Sequence, residues 1–535
     1  MLVCMHSSKK IFIFTVITMV ALSSLSGCIF DQLFGTTFTL NSWELVDDDG
    51  FTGLSASFSC SGIVTVKTMK SNTVMDSEMF LNGNHEEILN LNLYRRTLMP
   101  GEYQLIVYDV NDNQISEKSF SFTGSDLSIL FCTQRWWQQE AWKIDCSLIG
   151  LNLTVVNNGD VPAYPHTIEV SVDFQTYSGL VLPTVVLPGE TGFLDCFIYI
   201  EDEPDGDSFE ITVKDSTDDI LVTDSFPIDV ENNVDTRTFT WTYNGRTRNL
   251  RIPYLGFLFD YYSTLDRFIY DDYSIYVFDN YDDEYIDLLV DRLLSKSETT
   301  TDVDKINYAA SFVQNLEYEL DDPSNASYEY ARFPVETLFN ENKGAGDCED
   351  KAILMSSIID KMGYDVALFR FTNHMATGVK LDEGPSGYDT YINNYYFLET
   401  TTKGHFVGYI PNEYSSTNDV IVYPISSRPL LLHNWEDGIV SIFTNTQIGD
   451  FIKAVILIEN HGRDTAEDIE IKAGFYAGAL QLNIQTETIP SLDPGMKTKK
   501  ILIAYTPTGF TATFKTQLYL DDELVDEHES KSSFS

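Results

Sequence analysis

The stretch GAGDCEDKAIL, residues Gly344–Leu354, leads from small residues into a cysteine and then into a helical pattern. Asp347 is a good N-cap residue, and Asp350 three positions later approximates a capping box, so we predict a helix that begins at Cys348. Free backbone N–H groups in the first helical turn favour a thiolate, whereas the three neighbouring acids oppose one. This cysteine is therefore either a packed residue at a helix start or a nucleophile.

The helix face that carries the cysteine is otherwise apolar, so we expect the sulfur to point towards the protein body rather than into water. That face is shared by Cys348, Ala352, Met355, Ile359 and Met362.

A thiolate nucleophile needs a base within hydrogen-bond reach and a third group that orients the base. Of the eight histidines, His374 and His405 fall in the same region of the chain. His374 opens the small-residue strand HMATGV, a setting that suits a buried base. The later strand YYFLETT carries Glu399, and its pairing beside the first strand would bring that carboxylate to the imidazole.

Helical and strand-like patterns surround these residues. Apolar residues recur at helical spacing over Ile286–Leu293 and again over Ile306–Leu316, and Thr301 with Asp304 is suited to cap the second helix. A third helix begins at Cys348, and strand-like runs follow it. Helices followed by a run of strands predict an α+β domain over residues 240–412.

Three segments of this domain resemble the transglutaminase-like core of the papain-type cysteine-enzyme superfamily: RFPVETLFNENKGAGDCEDKAILMSSIIDKMGYDVAL, NHMATGVKL and YYFLETT. The resemblance implies a papain-like α+β fold in which Cys348 is the nucleophile and His374 is the general base and acid. Glu399 stands where the family more often has an aspartate. The resemblance also makes the backbone N–H of Cys348 a candidate oxyanion donor, and it gives His405 a structural role.

The chemistry implied by the resemblance is acyl transfer from a peptide or glutamine-type amide through a Cys348 thioester, with no cofactor. Water as acceptor makes a protease or amidase, and an amine makes a cross-linking enzyme. The alternative is a non-catalytic adhesion or scaffold protein that keeps the fold. No C-x-x-C or H-E-x-x-H motif is present, so the sequence gives no support for a structural or catalytic zinc site.

The rest of the chain shows short alternating runs broken by turn residues, which predicts β-sandwich modules over 37–124, 125–232 and 426–527, with a tail at 528–535. The second and third modules look like repeats, because LNLTVVNNGD and AVILIENHGRD are each followed by a strand and a Pro-Gly turn. Both resemble CARDB-type modules of prokaryotic surface proteins. The predicted fold class is multidomain, with β-sandwich modules flanking the α+β domain.

The N-terminus reads as an export signal. Lys9 and Lys10 precede an apolar run that is short for a membrane span, and LSGC ends at Cys28. This resembles the lipobox of prokaryotic lipoproteins. It predicts a signal peptide over 1–27, lipidation at Cys28, a tether over 28–36, and a cell-surface location on the membrane, with an uncleaved N-terminal anchor as the alternative.

The net charge of −47 over 535 residues makes nucleic acid a poor partner, because phosphate binding needs clustered Lys and Arg. The expected partners are a protein or peptide substrate and the membrane through the N-terminal lipid, with cell-surface polymers as a further candidate. The acidic surface is typical of a salt-adapted or archaeal protein, and a calcium role stays open for clusters such as 202–207. Export permits one disulfide among Cys132, Cys146 and Cys196.

Overall fold

The computed structural model describes residues 36–140, 146–204, 206–231, 233–265, 267, 272–298, 300–321, 330–340, 344–436, 441–443 and 449–534. The predicted signal peptide, Cys28 and nearly all of the tether lie outside these residues. Within them, no helix is long and apolar enough to cross a bilayer. The described chain is multidomain and mostly β-sheet, as the predicted β-sandwich modules require.

The first module packs two antiparallel sheets face to face. Its strands are β1 (Thr37–Asp48), β2 (Phe51–Ser61), β3 (Val64–Lys70), β4 (Thr73–Phe80), β5 (Gly83–Asn90), β6 (Gly101–Asp109) and β7 (Gln114–Phe122). The strand orders are β1-β2-β5 and β4-β3-β6-β7. Every second residue of β2 from Leu54 to Cys60 is buried, because successive side chains of a strand alternate between the core and the other face.

The second module repeats this plan. Its strands are β8 (Leu127–Trp137), β9 (Ser147–Asn157), β10 (Thr167–Val172), β11 (Gln175–Leu180), β12 (Thr191–Cys196), β13 (Ser208–Lys214) and β14 (Ile220–Pro227). They form sheets ordered β12-β9-β8 and β11-β10-β13-β14. The structure contains no disulfide among Cys132, Cys146 and Cys196, so the bond that export would permit between two of these described residues does not form.

The middle segment contains all six helices of the described chain. They are α1 (Gly256–Thr264), α2 (Ile275–Phe278), α3 (Asp283–Ser295), α4 (Asp302–Asn315), α5 (Pro334–Phe339) and α6 (Cys348–Lys361). The strands are β15 (Thr236–Tyr243), β16 (Arg246–Pro253), β17 (Glu317–Tyr318), β18 (Ala345–Gly346), β19 (Val366–Arg370), β20 (Met375–Val379), β21 (Tyr396–Leu398) and β22 (Ile421–Ile425). The helical patterns over 286–293 and 306–316 correspond to α3 and α4, whereas α1, α2 and α5 were not predicted.

Helix α6 lies at the centre of this segment. It packs against α3, α4 and α5 on one side and against β19 and β20 on the other. The sheet order is β21-β20-β19-β22, so the sheet extends past residue 412, where the predicted domain ends. Helix α4 begins as its sequence predicts, since Thr301 Oγ1 accepts a hydrogen bond from the Asp304 N–H at 3.1 Å.

The last module is again a two-sheet sandwich. Its strands are β23 (Leu431–Trp435), β24 (Ser441–Phe443), β25 (Phe451–Asn460), β26 (Ala466–Ala477), β27 (Leu480–Leu492), β28 (Lys497–Tyr505), β29 (Ala512–Leu520) and β30 (Glu523–Phe534). One sheet has β23 and β24 on one side of β25 and β28 on the other, and the second sheet has the order β27-β26-β29-β30. The prediction of a tail from residue 528 is wrong, because residues 528–534 pair with β29 as part of β30.

An asparagine performs the same task in the second and last modules. Asn157 donates through Nδ2 to the carbonyl oxygen four residues ahead at 2.8 Å and to that of Val186 at 2.9 Å. Asn460 donates to the carbonyl oxygen four residues ahead at 2.8 Å and to that of Leu492 at 2.9 Å. Val186 and Leu492 each stand just before a Pro-Gly turn. The sequence repeat therefore reflects one shared turn structure.

Ion pairs connect the modules to one another. Each of these ion pairs is at most half exposed, so it stabilises the contact between two modules more than a fully solvent-exposed pair would. The pairs are Arg292–Glu140 (3.0 Å, middle to second), Arg463–Asp360 (2.6 Å, last to middle) and Lys453–Glu78 (2.6 Å, last to first).

Candidate active site

The half-buried thiol of Cys348 is held at the first turn of α6 by a buried network of charged groups. Asp350 is fully buried, and its carboxylate accepts hydrogen bonds from the Asp347 N–H at 3.2 Å and from the backbone N–H of Arg332 at 2.7 Å. The Arg332 guanidinium also pairs with this carboxylate. Asp350 thus ties the start of α6 to the segment before α5, as well as capping the helix.

Gly346 is required by the same network. A Cβ at this position would lie 2.5 Å from the Cβ of Asp350, well inside contact distance. The preceding residues form the short parallel pairing of β18 with β17, in which Tyr318 lies opposite Gly346. The glycine therefore lets the chain pass Asp350 just before the cysteine.

His374 and Glu399 are brought together by the sheet. Strands β20 and β21 pair antiparallel, with Thr377 opposite Leu398, so the residue before β20 and the residue after β21 lie on the same edge. Nε2 of His374 is 3.0 Å from Oε2 of Glu399. The other carboxylate oxygen, Oε1, accepts the backbone N–H of Thr401 at 2.7 Å.

The ionised form of Glu399 is stabilised by these contacts. Burial by itself would raise the pKa of this carboxyl, but the hydrogen bonds and charge of His374, together with Thr401, lower its pKa to about 2. The side chain is only 2% exposed, so the carboxylate is shielded from water while it holds the imidazole.

The Cys348 sulfur lies beside the strand that follows His374. The backbone N–H of Met375 donates to the sulfur, which favours the thiolate. Burial has the larger effect and raises the pKa of the thiol, and Glu349 raises it further, because Sγ lies 3.2 Å from Oε2 of that side chain. The resting group is therefore a protonated thiol that donates to Glu349.

Two acids flank the cysteine. Glu349 is 1% exposed, and burial together with the nearby Asp347 raises its pKa to about 10. The nearby Asp347 thus favours the protonated form of Glu349, as expected for two carboxyl groups in one site. Ligand atoms of Asp347, Cys348 and Glu349 lie within 4.8 Å of one another, so these are the side chains at this site that could hold a metal ion.

Two tyrosines that the sequence analysis did not select complete the site. Tyr414 stacks on the His374 ring, with centroids 4.5 Å apart and an angle of 14° between the planes. Tyr318 lies near the thiol, and burial together with the negative charge that Cys348 would carry raises its pKa to about 12. Neither position follows from a local motif, since Tyr414 comes after the predicted domain and Tyr318 is placed by its pairing with β18.

A cleft of about 560 Å³ adjoins these residues. Tyr318, Lys351 and Thr401 line it on the side of the site, and Trp241 lines it on the side of β15. Nζ of Lys351 donates to the backbone oxygen of Leu316 at 2.8 Å, and burial lowers the pKa of this lysine to about 8. The cleft is large enough for a side chain or short peptide.

The predicted site residues therefore fall into two groups. Cys348, His374 and Glu399 lie at one end of the sheet beside the start of α6. The ring of His405 packs on Tyr409 at 4.6 Å. Its backbone oxygen accepts a hydrogen bond at 2.8 Å from Gln314, whose side chain also donates to the backbone oxygen of Glu399 at 2.8 Å.

Comparison with known proteins gives no assignment. No protein-family profile and no curated protein matches this chain. Among solved structures, a transglutaminase from red sea bream is similar at 9% identity over 71% of this chain and 79% of that one, with a TM-score of 0.18. A glycoside hydrolase family 2 β-glucuronidase is similar at 8% identity over 93% and 74%, with a TM-score of 0.16.

The exo-chitosanase CsxA of Amycolatopsis orientalis is similar at 9% identity over 92% of this chain and 76% of that one, with a TM-score of 0.15. Scores this low assign neither fold nor function, so the chemistry of this protein has to be argued from its own residues.

Proposed function

We propose that the protein is a transglutaminase-like cysteine enzyme whose middle segment is a papain-like α+β domain. Its substrates are peptide or glutamine-type amides, and the reaction passes through a thioester on Cys348. The observation that carries the proposal is the 3.0 Å contact between His374 Nε2 and Glu399 Oε2, at the sheet edge where the Met375 N–H meets the Cys348 sulfur.

The contact with Glu399 occupies Nε2 of the imidazole and leaves Nδ1 to exchange a proton with the thiol. In the first half-reaction His374 takes the thiol proton, the sulfur bonds to the amide carbon, and the C–N bond breaks as His374 returns the proton to the leaving amine. Glu399 stabilises the imidazolium between these transfers. The Cys348 N–H at the start of α6 is a donor for the developing oxyanion.

The second half-reaction transfers the acyl group to an acceptor. Water restores the cysteine and releases a carboxylic acid, whereas a primary amine forms a new amide. We propose hydrolysis as the main reaction, which is the commoner outcome in prokaryotic proteins that the sequence resembles. The cleft beside Tyr318 and Thr401 is the site for the substrate segment next to the amide.

The experiment is labelling of the full-length protein with a chloroacetamide probe, with the modified cysteine identified by peptide mass spectrometry. We expect Cys348 to be labelled, Cys348→Ala to remove that labelling, and His374→Ala to reduce it strongly. His405→Ala is the matched control and should label as the parent protein does. Labelling of Cys348 that is absent, or that is unaffected by His374→Ala, would contradict the proposal.

A non-catalytic scaffold is the second candidate. It is favoured by one observation, the raised pKa of Cys348, because a thiol that keeps its proton is a poor nucleophile. Incubation with a glutamine-containing peptide separates the two. An enzyme releases ammonia or incorporates a fluorescent primary amine, and both reactions stop in Cys348→Ala, whereas a scaffold gives neither.

We infer that the chain is a surface lipoprotein anchored through Cys28, from the Lys-apolar-LSGC pattern at residues 9–28. Metabolic labelling with a radioactive fatty acid in a prokaryotic host should mark the protein. Cys28→Ser should abolish the labelling, and Cys4→Ser is the control that should not. A fatty acid that still labels Cys28→Ser would contradict this inference.

A further inference from the structure

Two imidazoles and one carboxylate lie close together in the last module. The proposed cysteine chemistry uses none of these three side chains. His433 belongs to β23, and Asp526 and His528 belong to β30. One ligand atom from each of the three lies within 4.8 Å of the others. The sequence separation of 93 between His433 and Asp526 explains why no sequence motif reveals the group.

The distances within the group match the spacing of ligands around one metal ion. Nδ1 of His433 is 2.8 Å from Oδ2 of Asp526, and Nε2 of His528 is 3.6 Å from the same oxygen. Metal–ligand bonds of about 2.1 Å separate adjacent ligands by roughly 3.0 Å in an octahedron and roughly 3.4 Å in a tetrahedron. The two rings are nearly perpendicular, at 87°, so they approach the same point from different directions.

The buried histidine is oriented from its far side. His433 is 1% exposed, and its Nε2 is 2.8 Å from Oγ1 of Thr516, which also accepts the Trp435 indole N–H at 2.8 Å. Its Nδ1 points into the cluster, where Oδ2 of Asp526 lies 2.8 Å away. A histidine that binds a metal is usually held in this way, with its second ring nitrogen fixed by a partner.

We propose that His433, Asp526 and His528 bind a divalent transition-metal ion, with Zn²⁺ as the preferred ion. Two imidazoles and one carboxylate suit Zn²⁺, whereas Ca²⁺ and Mg²⁺ prefer oxygen ligands alone. The His528 side chain is 39% exposed, so an ion can enter from that side and a water molecule can complete four ligands.

The ion would join the two sheets of the last module. Strand β23 lies at the edge of one sheet and β30 at the edge of the other. The backbone N–H of His433 already donates across to Asp526 Oδ2 at 2.8 Å. Metal bound here stabilises the closed sandwich because the ligands come together only in the folded state.

The experiment is a calorimetric titration of the full-length chain in detergent with ZnCl2, after treatment with a chelator. It is done in the Cys348→Ser background, which removes the thiol of the other candidate cluster. We expect one Zn²⁺ per chain, and affinity at least about tenfold weaker after His528→Gln. His461→Gln is the matched control, because His461 pairs with Glu459 at 3.2 Å in the same module but has no second imidazole beside it among the described residues.

Hydrogen exchange supplies the second measurement. Zn²⁺ should slow exchange of the β23 and β30 amides in the parent protein and in His461→Gln, but not in His528→Gln. The proposal is overturned if Zn²⁺ does not bind, if His528→Gln binds it as well as His461→Gln does, or if binding leaves exchange in both strands unchanged.

Discussion

Nε2 of His374 lies 3.0 Å from Oε2 of Glu399, while the second carboxylate oxygen of Glu399 is held by Thr401. Both carboxylate oxygens of Glu399 therefore have a partner. The side chain is longer than that of an aspartate, and it contacts the imidazole while it keeps the contact with Thr401. In the proposed mechanism, Glu399 engages Nε2, so Nδ1 is the ring nitrogen that would exchange a proton with Cys348. The 14° stack of Tyr414 on the same ring limits rotation of the imidazole out of this position.

Replacing Glu399 with glutamine should remove the charge that stabilises the imidazolium while keeping the size of the side chain. We expect acyl transfer to fall by on the order of 10²–10⁴, as for loss of the charge in other nucleophile–histidine–acid sites. Glu399→Asp should be intermediate, since its shorter side chain cannot keep both the His374 and the Thr401 contact. Steady-state rates on a glutamine peptide measure both. Unchanged rates in Glu399→Gln would show that the charge of Glu399 does not assist His374.

Acidic pH should also reduce the unfolding free energy of Glu399→Gln less than that of the parent protein. The folded pKa of Glu399, about 2, is below its unfolded value of 4.5, so the carboxylate stabilises the fold above pH 4.5. That contribution is lost as the pH falls through 4.5 towards 2. Urea unfolding between pH 6 and pH 3 should show a smaller loss of stability in Glu399→Gln than in the parent protein. An identical loss in both would contradict the lowered pKa.

The acids beside the nucleophile should restrain its reactivity. Asp347→Asn combined with Glu349→Gln removes the charge that the pair shares, so the pKa of Cys348 should fall. One pKa unit is a tenfold change in thiolate, and we expect alkylation by iodoacetamide at pH 8 to accelerate by about tenfold. Asparagine still caps a helix, so α6 should be preserved.

Glu413→Gln is the control for that variant, since Glu413 is exposed and its charge acts on Tyr414. Its alkylation rate should match that of the parent protein. A double variant no faster than this control would mean that burial alone keeps Cys348 protonated.

Gly346→Ala should destabilise the site through a steric clash. The new Cβ would meet Asp350 at 2.5 Å, and Asp350 is held by Arg332 and cannot move freely. Overpacking of this kind costs roughly 1–3 kcal/mol. Gly256→Ala at the first residue of α1 is the control, because its nearest neighbour is 3.8 Å away. Urea denaturation compares the two, and equal stabilities would contradict the close approach.

Local signals in the sequence were sufficient to predict α4 and α6, because a capping residue and a helical apolar face lie within a few positions of each other. The same holds for the Asn157 and Asn460 turns, where the asparagine bonds to a carbonyl four residues away. The order of Cys348, His374 and Glu399 also pointed to one site, since pairing of their two strands was the natural arrangement.

The remaining features depend on contacts between distant residues. Tyr318 is placed at the site by the two-residue parallel pairing of β17 with β18. Strand β22 pairs with β19 although the two strands are far apart in the sequence. His433 and Asp526 come together only when the edges of two sheets meet. No periodicity or spacing encodes these contacts. The short helices α2 and α5 have four and six residues, too few to show a periodic pattern.

Arg332→Ala should destabilise the protein more at high pH than at low pH. Asp350 is fully buried, and burial raises its pKa to about 7 although Arg332 opposes the shift. Since the folded pKa is above the unfolded value of 3.8, its favourable contribution is complete below pH 3.8 and is lost as the pH rises through 7. Without the guanidinium the folded pKa of Asp350 rises further, so at pH 8 this carboxyl keeps its proton in Arg332→Ala, whereas it is largely ionised in the parent protein.

We therefore expect Arg332→Ala to lose more unfolding free energy relative to the parent protein at pH 8 than at pH 5, by about 1 kcal/mol, because pH 8 lies about one unit above the parent pKa of Asp350 and one pKa unit corresponds to about 1.4 kcal/mol. Arg246→Ala is the control, because its partner Glu298 is 68% exposed and such pairs contribute about 0–1 kcal/mol. Urea unfolding of both variants at the two pH values measures the effect. A deficit in Arg332→Ala that does not change between pH 5 and pH 8 would show that Arg332 acts through packing rather than through the Asp350 charge.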